Sequence, residues 1–136
     1  MRNPSARNPY EGPALVVAGA DVVVVGYFSA RQKDFASLMD VAVADVTALG
    51  ARVVGRIVQR RGVSGGGVRK MGLPYSSRTL MSYGKVRETA EVCARARADV
   101  AVFLTVPSVL TERQRKVLTE LLGCPVVSLG EVLAGR

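Results

Sequence analysis

The sequence predicts a single α/β domain: a mainly parallel sheet of four or slightly more strands, with helices on its faces. Two observations predict this fold. Runs of apolar, β-branched residues, such as DVVVVGYF at 21–28, show no polar alternation, which is typical of strands buried on both faces. Between such runs, apolar residues recur at the spacing of a helix. Strands and helices that alternate in this way favour a parallel sheet covered by helices.

The size and composition of the chain limit the classes of protein to which it can belong. It has 136 residues, of which 49% are apolar, enough for one domain with a full core. Residues 21–136 are assigned to the α/β domain and residues 1–20 to a polar leader, in which 13–19 is either a short extra strand or part of the leader. No apolar run reaches the roughly 20 residues of a membrane span, and the start lacks a secretory signal. We therefore expect a cytoplasmic protein that does not enter a membrane.

Local signals place the elements in order. The first helix, predicted over 32–49, carries one apolar stripe and ends at Gly50. A second strand is predicted at 51–59, a second helix at 84–97 and a third strand at 99–106. The stripe of the first helix consists of Phe35, Leu38, Met39, Ala42, Val46 and Leu49.

A capping signal opens the third helix. Thr111 and Gln114 form the T-x-x-Q pattern of a capping box, which starts a helix predicted over 111–122. Residues 124–129 are then predicted to form a short fourth strand, and 130–135 a last helical turn.

Two cysteines and the absence of histidine exclude several functional classes. Cys93 lies in a helical segment and Cys124 in a strand-like one, and the chain has no His. Common zinc sites need closely spaced Cys or His ligands, and Ser-His-Asp or Cys-His catalysis needs an imidazole. We therefore expect no metal site and no cofactor, and we interpret the cysteines as buried, reduced thiols.

The positive charge of the chain is concentrated in one interval. The net charge is +8, and no acidic residue occurs between Asp45 and Glu88. Nine cations lie in that interval, so the rest of the chain sums to −1. A field of one sign attracts polyanions, and the basic 52–87 region is predicted to bind RNA, the ribosome or another anionic partner. The predicted phosphate contacts are Arg60, Arg61, Arg69, Lys70, Arg78 and Lys85.

A long segment without periodicity separates the second strand from the second helix. It exceeds the roughly 15 residues of an ordinary connection. Its glycines raise the backbone entropy, so residues 62–82 are predicted to be mobile until an anionic partner orders them. The segment is not a Walker phosphate loop, because Thr79 stands where the first glycine is needed and Val86 where the hydroxyl is needed. Lys85 at a helix start still favours an anion.

Three segments of the sequence together resemble the N-terminal domain of the HflX family of translational GTPases. They are GARVVGRIVQRR, YGKVRETAEVCARARADVAVF and LTERQRKVLTELLGCPVV, within about residues 21–129. The family pattern is a strand ending in Q-R-R, a loop closing on G-S-G-K, a helix, A-D-x-V-V-F, and a helix with L-S-x-x-Q. The resemblance implies a parallel α/β domain and an association with the large ribosomal subunit.

The sequence also departs from this family pattern. Ser82 and Tyr83 replace the first glycine and the serine of G-S-G-K, and Val117 stands where the family has Asn. The acidic residues after Phe103 and the D-R-T around Ser128 are missing, and no GTPase motif occurs. We therefore expect a freestanding, diverged homologue of this domain that is not a GTPase.

Two further hypotheses stand beside the binding module, which we favour. A small enzyme or ligand-binding protein, for example of a biosynthetic pathway, would use the strand edge with Lys85, Tyr83 and Ser82, although an ordinary general base is missing. A homodimer is also expected, because the outer side of the first helix is nearly as apolar as its core stripe. That outer side consists of Val41, Val43, Ala44 and Ala48.

Overall fold

The computed structural model describes residues 17–61, 80–106 and 109–134. In these residues the chain alternates between strands and helices, as predicted. The strands are β1 (Asp21–Ser29), β2 (Arg52–Arg61), β3 (Val100–Val106) and β4 (Val126–Ser128). The helices are α1 (Phe35–Ala48), α2 (Tyr83–Ala96), α3 (Glu112–Leu122) and α4 (Leu129–Ala134).

The strands form one parallel sheet in the order β2-β1-β3-β4. In this order β1 is central, and its Val24 lies beside Arg56 of β2 and Val102 of β3. Seven consecutive residues of β1 are buried, because helices cover both faces of the strand. The predicted α/β class with a parallel sheet is confirmed.

Helices cover the sheet in two layers. α2 and α3 pack against residues such as Val23 and Phe103, whereas α1 and α4 pack against the opposite face, which includes Val24 and Phe28. The chain passes from β1 to β2 in one direction, and from β2 past β1 to β3 in the other. Crossovers of one hand then place α1 and α2 on opposite faces. Both faces of the central strands are buried for this reason.

The structure refines the boundaries near the first helix. α1 starts at Phe35 instead of residue 32, because the chain first makes a turn in which the Gln32 N–H donates to the Ser29 carbonyl at 3.1 Å. Gly50 follows the helix with a φ of +99°, a conformation that favours glycine. Residues 17–20 contain a turn and no strand. The rest of the 13–19 segment lies outside the described residues.

The capping box of α3 is confirmed. Thr111 Oγ1 accepts from the Gln114 N–H at 3.0 Å, and Gln114 Oε1 accepts from the Thr111 N–H at 2.9 Å. β4 is shorter than predicted and begins only at Val126. It follows Pro125, which has no N–H to donate to a neighbouring strand.

Candidate functional site

The candidate site lies at the edge of the sheet where the parallel strands end. Ligands of open α/β sheets bind beyond the carboxyl ends of the strands. β2 ends at this edge with Arg61, and α2 begins there at Tyr83. Gln59 joins the two elements, because its Nε2 donates to Ser82 Oγ at 3.3 Å and its Oε1 accepts from the Ser82 N–H at 3.4 Å. The end of β2 therefore lies against the first turn of α2.

Ser82 is the N-cap of α2. Its backbone is extended, with φ −66° and ψ 155°, and its Oγ accepts from the Lys85 N–H at 3.3 Å. The same oxygen accepts from Gln59. The hydroxyl therefore satisfies a free N–H group of the helix start.

Arg60 is held in place by uncharged groups. Its guanidinium carbon lies 4.3 Å from the centre of the Phe35 ring, which is a cation–π contact. Its Nη2 donates to the Ala30 carbonyl at 2.9 Å, while its buried Nε has no hydrogen-bond partner among the described residues. No carboxylate in that part of the chain forms an ion pair with it. Within the described residues, the positive charge of Arg60 therefore stays unneutralised at the end of β2.

Arg61 occupies the other side of the same strand end. Side chains alternate between the two faces of a strand. Because Arg60 contacts Phe35 of α1, Arg61 lies on the side of α2, together with Gln59. Arg61 is exposed. Two adjacent cations thus end β2, one toward each layer of helices.

Three other cations of the basic interval are neutralised by carboxylates. Each pair joins a side chain of β2 or α2 to an acidic residue that lies outside the interval in sequence. The pairs are Arg52–Asp21 at 2.6 Å, Arg56–Asp40 at 2.8 Å and Lys85–Glu88 at 2.9 Å. Although the interval contains no acidic residue, carboxylates from outside it therefore lie beside three of its cations in the fold.

The remaining predicted contacts, Arg69, Lys70 and Arg78, lie outside the described residues. The predicted mobility of 62–82 also falls outside them as far as residue 79. At the end of that segment, Met81 is fully buried in the layer of α2 and α3. The chain is thus anchored in the core directly before the cap of α2.

A groove of about 450 Å³ lies elsewhere, between α3 and the outer side of β4. Residues of both elements line it, among them Lys116 and Val127. Ser82, Tyr83 and Lys85 are not part of its lining. The groove is therefore separate from the predicted basic site.

A further helix cap, which was not predicted from the sequence, lies at the carboxyl edge. Ser128 Oγ accepts from the Glu131 N–H at 3.3 Å, and Glu131 Oε1 accepts from the Ser128 N–H at 3.2 Å. Arg115 Nη1 donates to both carboxylate oxygens of Glu131 at 2.6 Å. Burial raises the pKa of Glu131, but the hydrogen bonds from Arg115 and Ser128 hold it below its usual value. The S-x-x-E pattern at residues 128–131 is typical of a capping box and could have predicted this cap.

The described residues contain no group of three or more His, Cys, Asp or Glu that could hold a metal ion. In the same part of the chain, no helix is long and apolar enough to cross a membrane. No protein-family model matches the chain, and no curated protein matches its sequence. The candidate site is therefore defined by its own geometry: two arginines at the end of β2, Arg60 on the side of α1 and Arg61 on the side of α2.

Proposed function

We propose that this protein is a non-catalytic binding module that contacts the phosphate groups of RNA through the end of β2. The observation that carries the proposal is Arg60, which Phe35 and Ala30 hold in place while no described carboxylate neutralises it. A guanidinium that is already positioned loses less entropy when it binds phosphate. Arg61 supplies a second cation beside it.

The ribosome is the proposed source of that RNA. The resemblance to the HflX N-terminal domain supports this choice, because the Q-R-R of the family pattern corresponds to Gln59, Arg60 and Arg61. These three residues have complementary roles at the site: Gln59 holds the start of α2, and the two arginines carry the charge. A diverged homologue of that domain is our proposal for the origin of the chain.

The geometry offers less support for the enzyme alternative. The Ser82 hydroxyl caps α2, the Lys85 ammonium pairs with Glu88 at 2.9 Å, and Tyr83 is 53% exposed. A nucleophile or general base needs a partner within hydrogen-bond reach that activates it. We therefore propose phosphate contact, and not catalysis, for this site.

A second copy of the chain is the proposed partner of the outer face of α1. Val41 is 55% exposed, and Ala44 and Ala48 are exposed on the same helix. Val43, in contrast, packs against the core. Analytical ultracentrifugation should give a dimer mass, which Val41→Lys should reduce to that of the monomer. A wild-type chain that stays monomeric at high concentration would remove this part of the proposal.

The RNA proposal is tested by titrating ribosomal RNA at two salt concentrations with matched double variants. The site variant, Arg60→Ala with Arg61→Ala, removes the two cations at the end of β2. The control, Arg52→Ala with Arg56→Ala, removes two cations of the same strand that carboxylates already neutralise. Both variants change the net charge by the same amount.

The site variant should reduce the slope of log affinity against log salt by about one to two, since each neutralised phosphate contributes about 0.7 on a single strand and about 0.9 on a duplex. The control should change this slope less. Sequence preference should stay the same in both, because phosphate contacts do not read bases. Equal effects of the two variants would reject the site, and absence of binding at low salt would reject RNA as the ligand.

A further inference from the structure

The short strand β4 lies at one edge of the sheet. It pairs with β3 on one side, and among residues 17–61, 80–106 and 109–134 no further strand lies on its other side. The outer edge of such a strand normally carries N–H and C=O groups that can pair with another chain. The outer edge of β4 is therefore a place where the sheet could gain a strand.

Two side chains already bind the N–H groups of this outer edge. The Val126 N–H donates to Thr119 Oγ1 at 3.1 Å, and the Ser128 N–H donates to Glu131 Oε1 at 3.2 Å. Backbone groups of alternate residues in a strand point to opposite edges. Val126 and Ser128 are two residues apart, and both donate to groups outside the sheet, so their N–H groups are the ones that point away from β3.

Both acceptors are held in place by α3. Thr119 belongs to this helix and is half-buried. Glu131 belongs to α4, but Arg115 of α3 donates to both of its carboxylate oxygens at 2.6 Å. A salt bridge with two parallel hydrogen bonds fixes the orientation of the carboxylate. The two hydrogen bonds to β4 are therefore supported from one helix.

The space beside the outer edge is open. The groove of about 450 Å³ between α3 and β4 has Thr119, Val126 and Val127 in its lining. Within the described part of the chain, the edge is thus occupied by two side-chain hydrogen bonds and is not covered by a helix or a loop. An incoming strand would have room but would find both N–H groups taken.

We propose that Thr119 and Glu131 form an autoinhibitory contact, which prevents β4 from pairing with the β4 of a second copy of the chain. Without this contact, Val126 and Ser128 would each offer an N–H and a C=O group. An antiparallel copy related by a twofold axis at Val127 would pair Val126 with the partner's Ser128, and the two edges would form four hydrogen bonds. The contact is independent of the proposed RNA site and of the dimer proposed for α1.

The test compares two double variants of the full chain. The site variant, Thr119→Val with Glu131→Ala, removes both acceptors. The control variant, Thr119→Ser with Glu131→Gln, keeps an oxygen at each position and changes the net charge by the same amount. Both also carry Val41→Lys, so that the dimer proposed for α1 does not contribute and its failure would be measured separately.

Sedimentation should show that the site variant forms dimers with a dissociation constant at least about tenfold lower than that of the control. Amide hydrogen exchange measured by NMR should show the same contact in the monomer. At low protein concentration, the Val126 and Ser128 amides of the site variant should exchange about two- to tenfold faster than those of the control, which is the range for the loss of one hydrogen bond. At high concentration they should become protected again, since pairing with a second copy gives them new acceptors.

A site variant that remains as monomeric as the control would overturn the proposal. So would equal association of the two variants, because the oxygen acceptors would then not be the cause. If the site variant does not fold, the amides of the wild type decide. Protection of both Val126 and Ser128 supports the contact, and exchange at the rate of an unstructured peptide rejects it.

Discussion

The guanidinium carbon of Arg60 lies 4.3 Å from the centre of the Phe35 ring, and that ring packs against the ring of Phe28, with the two centres 6.0 Å apart. Phe28 is fully buried. Because Phe35 is also the first residue of α1, the position of Arg60 depends on the packing of this helix start. The side chain of Arg60 at the end of β2 is thus positioned by aromatic residues that pack against the core.

Replacing Phe35 with leucine should weaken RNA binding by about two- to fivefold, because a cation–π contact contributes about 0.5–1 kcal/mol. Leucine retains apolar packing against Phe28 but offers no aromatic face to Arg60. Fluorescence titration with ribosomal RNA measures the change, and a thermal melt shows whether the fold is kept. Phe35→Tyr, which keeps the ring, should bind like the wild type. A leucine variant with unchanged affinity would show that the stacking is not needed.

Gly26 is the position in β1 where a larger residue should be most harmful. A Cβ atom there would lie 2.5 Å from the Met39 sulfur and 2.6 Å from a ring carbon of Phe28. Gly26→Ala should therefore lower the free energy of unfolding by about 1–3 kcal/mol, as measured by urea denaturation. Gly130→Ala is the control, because its Cβ would meet open space. If both variants unfold at the same urea concentration as the wild type, the side chains around Gly26 make room for the methyl group without a loss of stability.

The capping box of α3 should contribute measurably to stability. Thr111→Ala removes the oxygen that accepts from the Gln114 N–H at 3.0 Å. We expect a loss of about 1 kcal/mol in the free energy of unfolding. Thr111→Ser, which keeps the hydroxyl, should recover most of it. A serine variant as unstable as the alanine variant would assign the effect to the lost methyl group instead.

Stability should depend on pH through Glu131, whose pKa is lower in the folded chain than usual. A carboxylate of this kind stabilises the fold fully above its unfolded pKa of about 4.3, and the contribution is lost as the pH falls through the lower folded pKa. The wild type should therefore be more stable than Glu131→Gln at neutral pH, and the difference should shrink below about pH 4. Urea denaturation at several pH values measures it.

Arg115→Gln is the partner variant for this test. It removes the donor to both carboxylate oxygens, so it should show the same reduced dependence on pH. The double variant should add little to either single change. A difference between wild type and Glu131→Gln that stays constant down to pH 2 would mean that the carboxylate charge is not the cause.

The spacing of apolar residues predicted most of the fold. It predicted the burial of individual helix residues less well. The stripe of α1 is buried or half-buried throughout. In α2, the apolar Ala94 is exposed, whereas the polar Thr89 is fully buried. Thr89 is tolerated there because its Oγ1 donates to the Lys85 carbonyl at 2.8 Å. A pattern of apolar residues does not reveal a hydroxyl that is satisfied by its own helix.

The candidate site was only partly predictable for a different reason. The adjacency of Arg60 and Arg61 is visible in the sequence, but the neutralisation of Arg52 is not. Its partner Asp21 lies opposite it in the register between β1 and β2. That register can be assigned only when the order of the strands is known. The aromatic support of Arg60 likewise comes from a helix that precedes β2 in the chain.

The central position of β1 has a consequence for the time of synthesis. β1, α1 and β2 are synthesised before β3, yet one edge of β1 is completed only by β3, whose Val100 pairs with Val22. Until then the nascent chain carries an apolar strand with an open edge, which is the form that pairs with other chains. Until residues 100–106 have been synthesised, this open edge therefore favours pairing of the nascent chain with other chains.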